Sequence, residues 1–151
     1  MKRACEIKPA GQWNEASAVD SIALDAHERY RRRIVLTGEK GTTFLLDLPH
    51  ATALRDGDGL LLDDGAIVRV AGRHEALVEV VAANAEELAR LAWHLGNRHV
   101  EVQIVCDRLR IRHDRVIEAM LRGLGARMTP IKAAFEPEGG AYDHEHGAFH
   151  I

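Results

Sequence analysis

The feature that most constrains this chain is a change of hydrophobic rhythm near residue 74. Before it, apolar residues come in short runs that alternate with polar ones: "SIALDA", "RRRIVLTG", "TTFLLDLP", "GLLLDDG" and "AIVRVAG". Each run is closed by Gly, Asp or Pro, and "RDGDG" and "DDGA" carry the Asp-Gly chemistry of tight turns. No helical period survives there, so residues 1–74 are expected to form a small all-β domain of closely spaced hairpins. After the change, helical and strand periods alternate. "EALVEVVAA" (75–83) reads as a strand. "NAEELARLAWHLGN" puts Leu88, Leu91, Ala92 and Leu95 on one helical stripe, with Asn84 as its cap, Glu87 as the partner in a capping box, and Gly96-Asn97 as its stop.

"VEVQI" then alternates through Val100, Val102 and Ile104, and a turn at Cys106-Asp107 leads to "RLRIR" with Leu109 and Ile111 inward and Arg108, Arg110 and Arg112 outward. Asp114 caps a second helix with Ile117, Met120, Leu121 and Leu124 on its stripe, Gly125 ends it, and "RMTPIKAAF" is the last strand. The order β-α-β-β-α-β predicts a ferredoxin-like domain over 75–136. The fold class is therefore α+β, with two helices covering one face of a four-stranded antiparallel sheet. "EPEGGAYDHEHGAFHI" has no period, and 137–151 is expected to be a flexible, histidine-containing tail.

Bulk properties narrow the function. Charged residues make up 28% and the net charge is −3, which argues against a general nucleic-acid binder. No run approaches the length of a membrane span. "MKRACEIKPAGQ" lacks the apolar stretch of a secretory signal, and Cys5 and Cys106 form no CxxC, as expected of reduced thiols in a cytoplasmic protein.

The nine histidines are the remaining chemistry. His27, His50 and His74 are scattered through the β half, and His94 lies off the stripe of the first helix. His99 follows a helix stop and precedes a strand. His113 ends the "RLRIR" strand just before the capping Asp114. Because those two strands are antiparallel neighbours, His99 and His113 should share one rim of the sheet. The tail adds His144, His146 and His150. Imidazole suits nickel, copper and zinc. No closed four-ligand set is visible in one chain, so the other ligands of an ion at His99 must come from a second chain, the tail or water.

These residues resemble a known family. "HLGNRH" (94–99), "DRLRIRHDRVIEAMLRGLG" (107–125), "LRDGDGLLLDDG" (54–65) and the ending "AFEPEGGAYDHEH" are together similar to urease accessory proteins of the UreE type, over nearly the whole chain. The resemblance implies a peptide-binding-like first domain and a metal-binding second domain. It implies a homodimer, sometimes a dimer of dimers, in which the GNRH histidine of each chain, His99 here, meets its counterpart. His113 matches one histidine of the second block, where other family positions are Arg112 and Arg115 here. It implies a non-enzymatic nickel metallochaperone in the cytoplasm. By the same resemblance Ni²⁺ would be held by His99, His113 and the tail histidines His144, His146 and His150, with Zn²⁺ or Cu²⁺ able to substitute in vitro. The resemblance further implies that the ion passes to an accessory GTPase and the urease apoprotein assembly complex.

Two other readings compete. The β-α-β-β-α-β order is shared with RNA-binding RRM domains, and "RYRRR" (29–33) is basic, but the strands lack stacking aromatics. A metal-dependent hydrolase would need an open metal position and a general base in a cleft, and no such set is legible. Trp93, off the stripe of the first helix, suggests either a partner surface or packing between the domains.

Overall fold

Alternation along the strands of the N-terminal half decides which side chains meet. In this computed structural model, which describes residues 1–139, the chain divides into one unit over Met1–Arg73 and a second beginning at His74. The first unit has six strands, β1 (Lys2–Lys8), β2 (Asp20–Leu24), β3 (Tyr30–Thr37), β4 (Thr43–Ala53), β5 (Gly59–Leu62) and β6 (Ile67–Gly72). They form one sheet in the order β2-β6-β5-β1-β4-β3. Alternate residues Phe44, Leu46 and Leu48 of β4 join Leu60, Leu62, Val68, Val70, Ile22 and Leu24 in a single core.

The expected run of hairpins is only partly present. β3/β4 and β5/β6 are antiparallel hairpins. β1 instead pairs in parallel with β4, and β2 in parallel with β6. A parallel pair needs a long crossover, which local turn chemistry does not announce. The half also contains a helical turn, α1 (Ala26–Arg29), started by a capping box between Asp25 and Glu28. Arg29 of the basic run is buried, not solvated: its guanidinium donates to the carbonyls of Leu24 and Leu54 at 3.2 and 3.0 Å.

Asp20 is also buried. Burial alone would push its carboxyl up. Bonds from the N–H of Lys40, the hydroxyl and N–H of Thr42 and the N–H of Ser21 outweigh that and hold it at about 2. It thereby fastens the β3–β4 turn to β2. Gly38 leaves the room it needs, since a Cβ there would lie 2.3 Å from the Asp20 carboxylate.

The second unit is β7 (His74–Val81), α2 (Ala85–Asn97), β8 (Gln103–Val105), β9 (Arg108–Arg112), α3 (Arg115–Gly123) and β10 (Arg127–Ala134). The sheet order is β10-β7-β9-β8, all antiparallel, the ferredoxin-like arrangement. Val78, Val80, Leu109 and Ile111 from the strands meet Leu91 and Leu95 of α2 and Leu121 of α3. The Asn84 side chain accepts the N–H of Glu87 at 2.8 Å. The Glu87 carboxylate turns to Arg90 at 2.5 Å, so the second bond of the expected capping box is replaced by an ion pair. β8 is shorter than the expected strand, and Ile104, on this edge, is 53% exposed where a core position was expected.

The helix-free face carries the outward arginines. Glu79 takes Arg108 at 2.7 Å and Arg110 at 3.3 Å, and the Arg108 bond above all holds its carboxyl below the usual range. Arg112 pairs with Glu75 at 3.0 Å and also with Glu101, and its guanidinium lies 4.7 Å from the centroid of the buried Phe135 ring.

Past β10 the chain crosses to the opposite edge of the sheet. The Glu136 N–H donates to the Gln103 side chain at 3.1 Å. The Glu138 N–H donates to the Val102 carbonyl at 2.7 Å, and the Glu138 carboxylate accepts the Ile104 N–H at 3.4 Å. The segment from Phe135 to Glu138 is thus a strap tied to β8, and the boundary expected at 137 falls inside it.

Candidate metal centre

α2 ends at Asn97, and the chain reverses through Arg98 and His99. The His99 N–H donates to the Gly96 carbonyl and the Val100 N–H to the Leu95 carbonyl, both at 3.0 Å. This pair of bonds is a Schellman motif, which requires a left-handed residue at its turning point, usually glycine. Here that residue is His99, with φ +57°. α3 closes with the same two bonds, from Gly125 to Arg122 and from Ala126 to Leu121, and its turning residue is Gly125 at φ +89°. One domain thus uses the motif twice, once with glycine and once with an exposed histidine. Backbone strain of this kind persists where a side chain is wanted at a fixed place.

β9 ends at Arg112 and places His113 at its tip. The β8–β9 register pairs Gln103 with Arg110. The Arg112–Glu101 ion pair carries the same register past the end of β8. Extended one step further, that register sets His113 opposite Val100, the neighbour of His99, which puts positions 99 and 113 at the same end of the sheet. His113 is exposed, and its Nδ1 stands 2.5 Å from the carboxylate of Glu118. Glu118 is buried in the first turn of α3, where the same oxygen accepts the Asp114 N–H at 2.8 Å. Asp114 itself caps α3 through the N–H groups of Val116 and Ile117.

Among the described residues no three His, Cys, Asp or Glu side chains come together in a way that could hold a metal ion. His144, His146 and His150 lie outside the described residues. The strap sets where that segment departs: Glu138 is bonded to Val102, three positions beyond His99.

Sequence reasoning overlooked Glu118 and Glu138. Glu118 had a signal, an acid four residues after a capping Asp and so back over the helix start. Glu138 had none, because its partners are thirty-odd positions away. His27, His50 and His74 are exposed. His94 is half-buried, and its ring meets that of Trp93 edge-on at 5.0 Å. Trp93 is 64% exposed. Cys5 and Cys106 are free thiols on the surface. The sheet face that an RRM would use for stacking is occupied here by Arg–Glu pairs and the strap. No helix among the described residues is long and apolar enough to cross a membrane.

Fold and site together define a two-unit α+β protein whose ferredoxin-like domain displays an exposed imidazole at a left-handed helix stop. Residues 4–72 match the UreE urease accessory protein N-terminal domain, and residues 75–151 the UreE urease accessory protein C-terminal domain. The chain belongs to the UreE family of urease accessory proteins. It is 53% identical to the urease accessory protein UreE of Bradyrhizobium sp. (strain ORS 278), over 97% of this chain and 71% of that one. With that of Beijerinckia indica it shares 49%, over 94% and 82%. With that of Rhodobacter capsulatus it shares 46%, over 100% and 97%.

Proposed function

We propose that this protein carries Ni²⁺ as cargo for urease assembly, at a site shared by two copies of the chain. His99 of each copy supplies the central imidazole. A twofold axis doubles any rim residue it passes, so one histidine per chain becomes a pair. His144 or His146, with His150 as a further donor, completes a loose shell, and His113 acts as an auxiliary ligand. The observation that carries the reading is His99 itself, an exposed imidazole held at a left-handed turning point where its sister helix uses glycine. Membership of a family of urease accessory proteins supports the destination.

The role is ligand exchange without catalysis. An incomplete, exposed shell lets an accessory GTPase, and through it the urease apoprotein, take the ion by offering further ligands. Zn²⁺ and Cu²⁺ compete for the same imidazoles in vitro. Protons compete too, so binding weakens in acid. The reading places the protein in the cytoplasm as a dimer, with pairing into tetramers open to metal and concentration.

The test is equilibrium dialysis with Ni²⁺ on the full chain and on His99→Ala, with molecular mass measured alongside. About one tight ion per wild-type dimer is expected from the symmetry. His99→Ala should lose that ion and remain a dimer, because bound metal adds to assembly only in proportion to its affinity. Full affinity in His99→Ala would refute the shared site.

A further inference from the structure

At the start of α3 one carboxylate oxygen of Glu118 meets both the backbone N–H of the capping residue and a ring nitrogen of His113, and the second contact is one that the capping of the helix does not require. Asp114 already caps α3 with its own side chain. Glu118, an acid with only 9% of its surface exposed, nevertheless aims one oxygen at both the Asp114 N–H and His113 Nδ1. A carboxylate accepts only, so the nitrogen facing it must carry the proton. The neutral ring is then left with its lone pair on Nε2. The His113 side chain is 64% exposed, so the other nitrogen is open to solvent at the rim shared with His99. A carboxylate that fixes the tautomer and angle of a ligating imidazole is the usual outer partner of a metal-bound histidine.

We propose that Glu118 is a positioning residue, which presents Nε2 of His113 as a preformed donor for a divalent cation of the nickel, copper or zinc class. The proposal rests on the reading of this rim as a metal centre, and deepens it. Free histidine favours the opposite tautomer, with the proton on Nε2, and would have to move that proton before binding. Glu118 removes that step and locks the ring against rotation. It also explains how His113 can serve without histidines at positions 112 and 115.

The test begins with the metal-free full chain, where long-range ¹H–¹⁵N correlation spectra report which nitrogen of His113 is protonated. Nδ1–H is expected in the wild type. Glu118→Met keeps the buried bulk but removes the acceptor, and the Nε2–H form should then predominate. Glu118→Gln retains an acceptor oxygen and should restore Nδ1–H, an outcome that a merely structural role would not produce. Ni²⁺ alone is then titrated into the same proteins on a His99→Ala background, following paramagnetic broadening of the His113 ring signals. Glu118→Met should weaken the effect about tenfold or more, and Glu118→Gln by less. A wild-type ring protonated on Nε2 overturns the proposal without any variant having to fold. Equal nickel response in wild type and Glu118→Met overturns it as well. Neither result bears on the His99 dialysis experiment, so failure of this proposal and failure of the nickel reading are separable.

Discussion

Replacing His99 by glycine and by alanine separates the chemistry of this residue from its conformation. Both changes remove the imidazole. Only glycine relieves the backbone, because a Cβ at φ +57° crowds the following carbonyl. A left-handed L-residue costs roughly 1–2 kcal/mol, and glycine gives back roughly 0.4–1 kcal/mol through its freer unfolded chain. The net expectation is that His99→Gly is more stable than His99→Ala by about 1 kcal/mol. For a domain of this size that shifts the midpoint by about 4–8 °C. Gly125→Ala supplies the internal control, since the same motif is run in reverse. A Cβ on Gly125 meets nothing within 4 Å, so its cost is purely conformational and should match in size with opposite sign. The assay is scanning calorimetry of the metal-free full chain, following the transition of the second unit, with nickel dialysis in parallel. His99→Gly should melt higher than His99→Ala while neither binds the tight ion. If the glycine variant is no more stable than the alanine variant, position 99 is not strained, and the argument from strain to function fails.

Two further outcomes follow from the structure. Asp20 has its carboxyl lowered from 3.8 to about 2 on folding, so its contribution of about 2 kcal/mol is present above pH 4 and disappears as pH falls toward 2. Asp20→Asn should lose most of that contribution at pH 7 and flatten the acid limb of a denaturation curve. An unchanged acid limb would show that Asp20 is not the group responsible. A chain ending at Gly139 keeps the Glu138 bonds to Val102 and Ile104, and should unfold at the same temperature as the full chain while binding fewer nickel ions by dialysis. A large fall in its metal-free melting temperature would mean that residues beyond 139 contribute to packing.

What the sequence by itself determined is the part governed by local periodicity. The 3.6-residue stripe from Leu88 to Leu95, the inward Leu109 and Ile111, and the cap at Asp114 each depend on neighbours a few positions away, and together they specify the ferredoxin-like order. The GNRH stretch marked His99 in the same local way. Tertiary structure alone decided the rest, because its causes are distant in sequence. The parallel pairing of β1 with β4 and of β2 with β6 follows from which apolar faces bury together, and turn residues carry no record of it. Arg29 reads as part of a basic run, yet burial is set by the carbonyls of Leu24 and Leu54 that receive it. Ile104 keeps its strand pattern but loses its burial to an edge. The left-handed turn at His99 is invisible in a string that offers Gly96 as the expected stop three residues earlier. Glu118 and Glu138 acquire meaning only when a helix turn and a strap bring their carboxylates to His113 and to the Ile104 N–H, contacts that depend on the packed sheet.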